Sequence, residues 1–132
     1  MQSAARAAPR RADVSARILV VDDDHDIRDL VTIKLESAGH EVVACVDGTQ
    51  ALEAARGGGW SVIVLDVMMP GMSGLDVLRA LRERDDRTPV ILLTARGQEK
   101  DIAAGLAAGA DAYVTKPFSP RDLLARVAAA IG

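Results

Sequence analysis

Short apolar runs and amphipathic stretches alternate five times along the chain. Ile18-Leu19-Val20-Val21 predicts a strand over Arg17–Asp22. Ile27, Leu30, Val31, Leu35 and Ala38 then recur at spacings of three and four, which predicts a helix over His25–Ala38 that Gly39 stops. A second strand, Glu41–Cys45, leads to a helix over Thr49–Arg56, broken by Gly57-Gly58-Gly59. Val62-Ile63-Val64-Leu65 marks a third strand, Ser61–Asp66. Pro70-Gly71 then makes a turn, and Ser73 with Asp76 reads as a capping box for a helix carrying Leu75, Leu78 and Leu81 inward. The fourth strand, Pro89–Thr94, precedes a helix over Gln98–Ala108. The fifth, Ala112–Thr115, precedes a helix opened by Ser119-Pro120-Arg121-Asp122, with Leu123, Leu124, Val127 and Ile131 on its core face.

Continuous apolar strands alternating with helices predict an α/β fold: a doubly wound, five-stranded parallel sheet with five flanking helices. Right-handed crossovers and a 2-1-3-4-5 strand order place a site outside the carboxyl ends of strands one and three, where the order reverses. Those ends are polar. The first strand runs into Asp22-Asp23-Asp24, the third into Asp66, the fourth into Thr94 and the fifth into Lys116.

Taken singly, each residue has an ordinary reading. Asp22–Asp24 suit a turn and helix cap, Asp66 and Thr94 suit strand ends, and Lys116 before Pro117 suits a solvated surface. Together they suggest a crowded acidic pocket. Carboxylates in contact at an effective dielectric of about 20 repel by several kcal/mol, and a hard divalent cation removes that cost. Mg2+ suits such a pocket because it keeps waters that a phosphate can replace. Asp66 could then serve as ligand and nucleophile, with Lys116 and the Thr94 hydroxyl meeting the charge of a transferring phosphoryl group.

Composition narrows the field. With three aromatic side chains, Trp60, Tyr113 and Phe118, the core must be aliphatic. No apolar run reaches the roughly 18 residues of a membrane span. Cys45 is the sole cysteine, sits in an apolar strand and fits a buried thiol in a reducing, cytoplasmic setting. The formal charge of −3 divides unevenly: Arg6, Arg10 and Arg11 against Asp13 give residues 1–16 a net +2, which leaves −5 for 17–132. We read 1–16 as a disordered tail and 17–132 as one domain. An acidic body without a basic stripe argues against direct nucleic-acid binding by this domain.

Four strings resemble the receiver domain of two-component response regulators: Ile-Leu-Val-Val-Asp-Asp-Asp (18–24), Val-Leu-Asp-Val-Met-Met-Pro-Gly-Met-Ser-Gly (64–74), Leu-Leu-Thr-Ala (92–95) and Tyr-Val-Thr-Lys-Pro-Phe (113–118). The resemblance implies that Asp66 is the phosphoacceptor. It also implies that Asp22, Asp23, Asp66 and the Met68 backbone carbonyl bind Mg2+. Thr94 and Tyr113 would be the switch residues, Lys116 the phosphate-pairing lysine, and the Lys116–Pro117 bond cis. A sensor histidine kinase or phosphotransfer protein would donate the phosphoryl group. The surface of the fourth helix, fifth strand and fifth helix would then change to control a downstream output. Such a chain catalyses its own phosphorylation and dephosphorylation rather than turning over an external substrate. Met68 and Arg96 stand where the family tunes loss of the phosphoryl group to water. Met68 cannot orient an attacking water, so a long-lived phosphoryl state is expected.

Rival readings fit less well. A haloacid-dehalogenase-type phosphatase or phosphotransferase also uses an Asp nucleophile, but needs a second acid where Met68 stands. A flavodoxin-like binder needs a phosphate loop where this chain has three acids. The last helix also resembles that of winged-helix regulators, which implies a phosphorylation-dependent homodimer through the same surface. Ile102 and Ala112 replace charged residues expected there, so two of the expected ion pairs lack a partner.

Overall fold

A computed structural model describes residues 16–95 and 99–132. Arg96 and nearly all of the expected tail lie outside these residues. Five strands form one sheet: β1 (Arg17–Val21), β2 (Glu41–Cys45), β3 (Val62–Asp66), β4 (Val90–Ala95) and β5 (Ala112–Lys116). Their order is β2-β1-β3-β4-β5 and every pairing is parallel. The helices are α1 (His25–Ser37), α2 (Gly48–Arg56), α3 (Gly74–Glu83), α4 (Glu99–Ala107) and α5 (Pro120–Ile131). The expected doubly wound sheet is present in the expected order.

Alternation along the strands divides the core into two layers. Ile18, Val20, Val62, Val64, Ile91 and Leu93 face α1 and α5, where they meet Val31, Leu35, Leu123 and Val127. Leu19, Val21, Ile63, Leu65 and Leu92 face α2 and α3, where they meet Ala51, Ala55, Leu78 and Leu81. Leu30 departs from the expected stripe. It is exposed, because α1 buries the narrower line of Val31 and Leu35.

The helix entrances follow local chemistry. Asp24 caps α1 by accepting from the N–H groups of Asp26 and Ile27. Ser73 and Asp76 form the expected capping box, and Ser119 caps α5 with Pro120 in its first turn. Asp47, which the sequence reading passed over, caps α2 through Gln50 N–H and moves its start forward to Gly48. The Lys116–Pro117 bond is cis, as expected.

Candidate functional site

Because all five strands run the same way, their carboxyl ends share one edge. The acid triplet there divides into three jobs. Asp24 caps α1. Asp22 is fully buried, and its Oδ1 accepts from the Asp24 N–H at 2.9 Å. Asp23 is exposed, and one oxygen from each of Asp22, Asp23 and Asp66 falls within 4.8 Å of the others. Asp66, at the end of β3, is 4% exposed and accepts weakly from the Met68 N–H at 3.4 Å.

Lys116 reaches this cluster from the end of β5. Its Nζ lies 3.1 Å from Asp22 Oδ2 and 3.3 Å from Asp66 Oδ1. One ammonium thus pairs with two of the three carboxylates, Asp22 and Asp66. Burial pushes the Asp66 carboxyl up to about 7; the Asp22 charge adds to this, and Lys116 opposes it. Burial pulls Lys116 down, but Asp66 and Asp22 outweigh it and hold the ammonium above its ordinary value. The excess of buried negative charge and the all-oxygen donor set fit a hard divalent cation, which would relieve the repulsion that Lys116 relieves only in part.

Thr94 ends the buried part of β4, one residue beyond Leu93, the register partner of Asp66. It is fully buried and its Oγ1 has no hydrogen-bond partner. A buried hydroxyl without a partner is costly, so a group that accepts from it has a place here. Tyr113 on β5 pairs in register with Leu92, and Thr94 pairs with Thr115. Thr94 and Tyr113 are each two residues from the other's partner, so they share one face of adjacent strands. Tyr113 is partly buried against the core on that face. Met68 is largely exposed beside Asp66, with no acid two residues after the buried carboxylate.

Two contributors escaped the sequence reading. Arg28, one turn into α1, donates from Nη1 to the Asp22 backbone carbonyl at 3.0 Å. Gly74, the first residue of α3, lies so close to Asp66 that a Cβ there would collide with the Asp66 carbonyl oxygen. No spacing rule marks Arg28, since its role depends on which way the helix turns. The Ser73-Gly74 pair was visible, but its contact partner was not.

Comparison with known proteins agrees with this geometry. The model of the response regulator receiver domain family matches residues 18–128. The chain is a response regulator receiver domain. It is 51% identical over 114 residues to the Bacillus subtilis uncharacterized transcriptional regulatory protein YkoG, covering 86% of this chain and 50% of that protein. It is 47% identical over 113 residues to the DNA-binding response regulator MtrA of Mycobacterium tuberculosis, covering 86% of this chain and 49% of MtrA. The chain therefore spans about half the length of the curated relatives it matches. Among solved structures, the receiver domain of Francisella response regulator 1452 superposes with a TM-score of 0.83 at 37% identity, covering 88% of this chain and 96% of that one. Vibrio cholerae chemotaxis protein CheY4 superposes with a TM-score of 0.80 at 36% identity, covering 86% and 96%. Membership of this family, whose sheet order the chain shares, disfavours the haloacid-dehalogenase alternative. Among the described residues no helix is long and apolar enough to cross a membrane.

Proposed function

We propose that this receiver domain takes a phosphoryl group onto Asp66 from a sensor histidine kinase or phosphotransfer protein. The observation that carries the reading is the convergence of Asp22, Asp23, Asp66 and Lys116 at one sheet edge, beside a buried and unpartnered Thr94 hydroxyl. Asp22, Asp23, Asp66 and the Met68 carbonyl would hold Mg2+. Bound there, the ion supplies positive charge that screens the carboxylates and offsets charge on the phosphoryl oxygens.

The chain's own residues do the rest. Asp66 attacks phosphorus through a carboxylate oxygen as the bond to the donor nitrogen breaks, leaving an acyl phosphate and a donor histidine. Lys116, already beside Asp66, pairs with the phosphoryl group. The Thr94 hydroxyl donates to a phosphoryl oxygen, satisfying a proton that has no acceptor in the unphosphorylated chain. Its movement inward leaves space on the face it shares with Tyr113, and Tyr113 turns to fill it. The surface of α4, β5 and α5 changes, which is a population shift biased by the new contacts. Since relatives of twice the length are named as DNA-binding or transcriptional regulators, the output proposed here is control of a DNA-binding partner module, with homodimerisation through that surface.

The test is intact-mass measurement after incubation with Mg2+ and a small phosphodonor such as acetyl phosphate. Wild type is expected to gain one phosphoryl group, and Asp66→Asn or excess EDTA to prevent it. An unmodified wild-type chain contradicts the reading.

A further inference from the structure

We infer that Arg28 is a positioning residue that aims Asp23 at the metal, an inference that rests on the metal-binding reading above. Asp22 is hydrogen-bonded through its N–H, its Oδ1 and its carbonyl, while its Oδ2 meets only the charge of Lys116. Its N–H donates to the Cys45 carbonyl at 3.3 Å, its Oδ1 accepts from Asp24 N–H, and its Oδ2 faces Lys116. The remaining group, the backbone carbonyl, accepts from Arg28 Nη1 at 3.0 Å. That carbonyl shares a rigid peptide plane with the nitrogen of Asp23. Fixing its direction therefore fixes where the Asp23 Cα leaves the strand, the point from which its carboxylate projects.

Asp23 needs such help. Unlike Asp22 and Asp66 it is exposed, so packing does not hold its backbone. The helix entrance ties the turn from the other side, since Arg28 N–H donates to the Asp24 carbonyl at 2.9 Å. Backbone and side chain of Arg28 thus grip the turn at both ends, with Asp23 between them.

Arg28 also brings a positive charge beside a cation site, and the two effects have opposite signs. By charge alone, removing the guanidinium tightens Mg2+ binding. By aim, removing it loosens the binding, as loss of groups that orient metal ligands commonly does. The sign of the change decides between them.

The experiment titrates Mg2+ into wild type, Arg28→Met, Arg28→Gln and Arg28→Lys, reading dissociation constants from amide chemical shifts and the fold from circular dichroism. Arg28→Met is expected to bind Mg2+ about tenfold more weakly. Arg28→Gln, two bonds too short to reach the carbonyl in the same way, should fall with it and serves if Arg28→Met does not fold. Arg28→Lys, which keeps a cationic donor only one bond shorter, should recover most of the loss. In an Asp23→Asn background, Arg28→Met should produce little further change, since its effect passes through Asp23. Unchanged or tighter binding in both the Met and Gln variants overturns the inference while leaving the metal site in place. A wild type that does not bind Mg2+ overturns both.

Discussion

Lys116 Nζ lies 3.3 Å from Asp66 Oδ1 at an edge where the two residues arrive on separate strands, β5 and β3. The pair does not fully compensate the site, since burial and Asp22 still push Asp66 up to about 7. An acid whose folded value lies above its ordinary 3.8 favours folding in its protonated form. The stabilisation is therefore greatest below about pH 4 and is lost as pH rises toward 7. We predict that the metal-free chain loses stability across that window through Asp66. Asp66→Asn should flatten the profile and be more stable than wild type near pH 8, by on the order of 2 kcal/mol. Urea titration at several pH values checks this. A wild type whose slope over this window equals that of Asp66→Asn would contradict it.

Gly74→Ala should damage the site from behind. The added methyl would meet the Asp66 carbonyl, and Gly74 N–H also holds the Val67 carbonyl at 2.9 Å. Backbone cannot yield as a flexible side chain can. A loss of about 2–3 kcal/mol is expected, together with slower phosphoryl uptake. Chemical denaturation and intact-mass kinetics on one preparation would show both.

Arg82→Met should separate the two effects, lowering stability while sparing uptake. The Arg82 side chain is 12% exposed and donates to the carbonyls of Asp86 at 2.7 Å, Thr88 at 3.0 Å and Gly109 at 2.9 Å. It ties the end of α3 to the turn before β5, at the amino edge of the sheet. Leaving these carbonyls without a donor should cost about 2–3 kcal/mol. The initial rate of phosphoryl uptake per folded molecule should match wild type, because the acids lie at the other edge.

These cases mark what the sequence could and could not yield. Strand order and the gathering of Asp22, Asp23, Asp66 and Lys116 were legible because a parallel sheet puts every carboxyl end at one edge. The helix caps at Ser73 and Ser119 were legible because capping is local. Leu30 was misplaced because periodicity cannot say how wide a buried stripe is. Arg28, Gly74 and Arg82 were missed because each acts on a backbone carbonyl, and such contacts leave no pattern of residue types. In the sequence Gly105 and Gly109 show only a Gly-x-x-x-Gly spacing, whereas in the fold Gly105 is buried against Leu92 and Gly109 has a φ of +108° beside Arg82.

Met68→Asn should shorten the life of the phosphoryl group. Met68 is 57% exposed next to Asp66 and carries no group that can hold an attacking water, whereas an amide there could. Decay followed by intact mass after removal of the donor should be several-fold faster in the variant. Equal rates would show that the side chain at this position does not govern hydrolysis in this chain.

The most direct test asks whether the Asp66 carboxylate itself becomes an acyl phosphate. After loading with a small phosphodonor and Mg2+, treatment with hydroxylamine should release the phosphoryl group and leave a hydroxamate, located by peptide mass mapping at Asp66 alone. A phosphoryl group that resists hydroxylamine, or a hydroxamate at another carboxylate, would contradict the assignment.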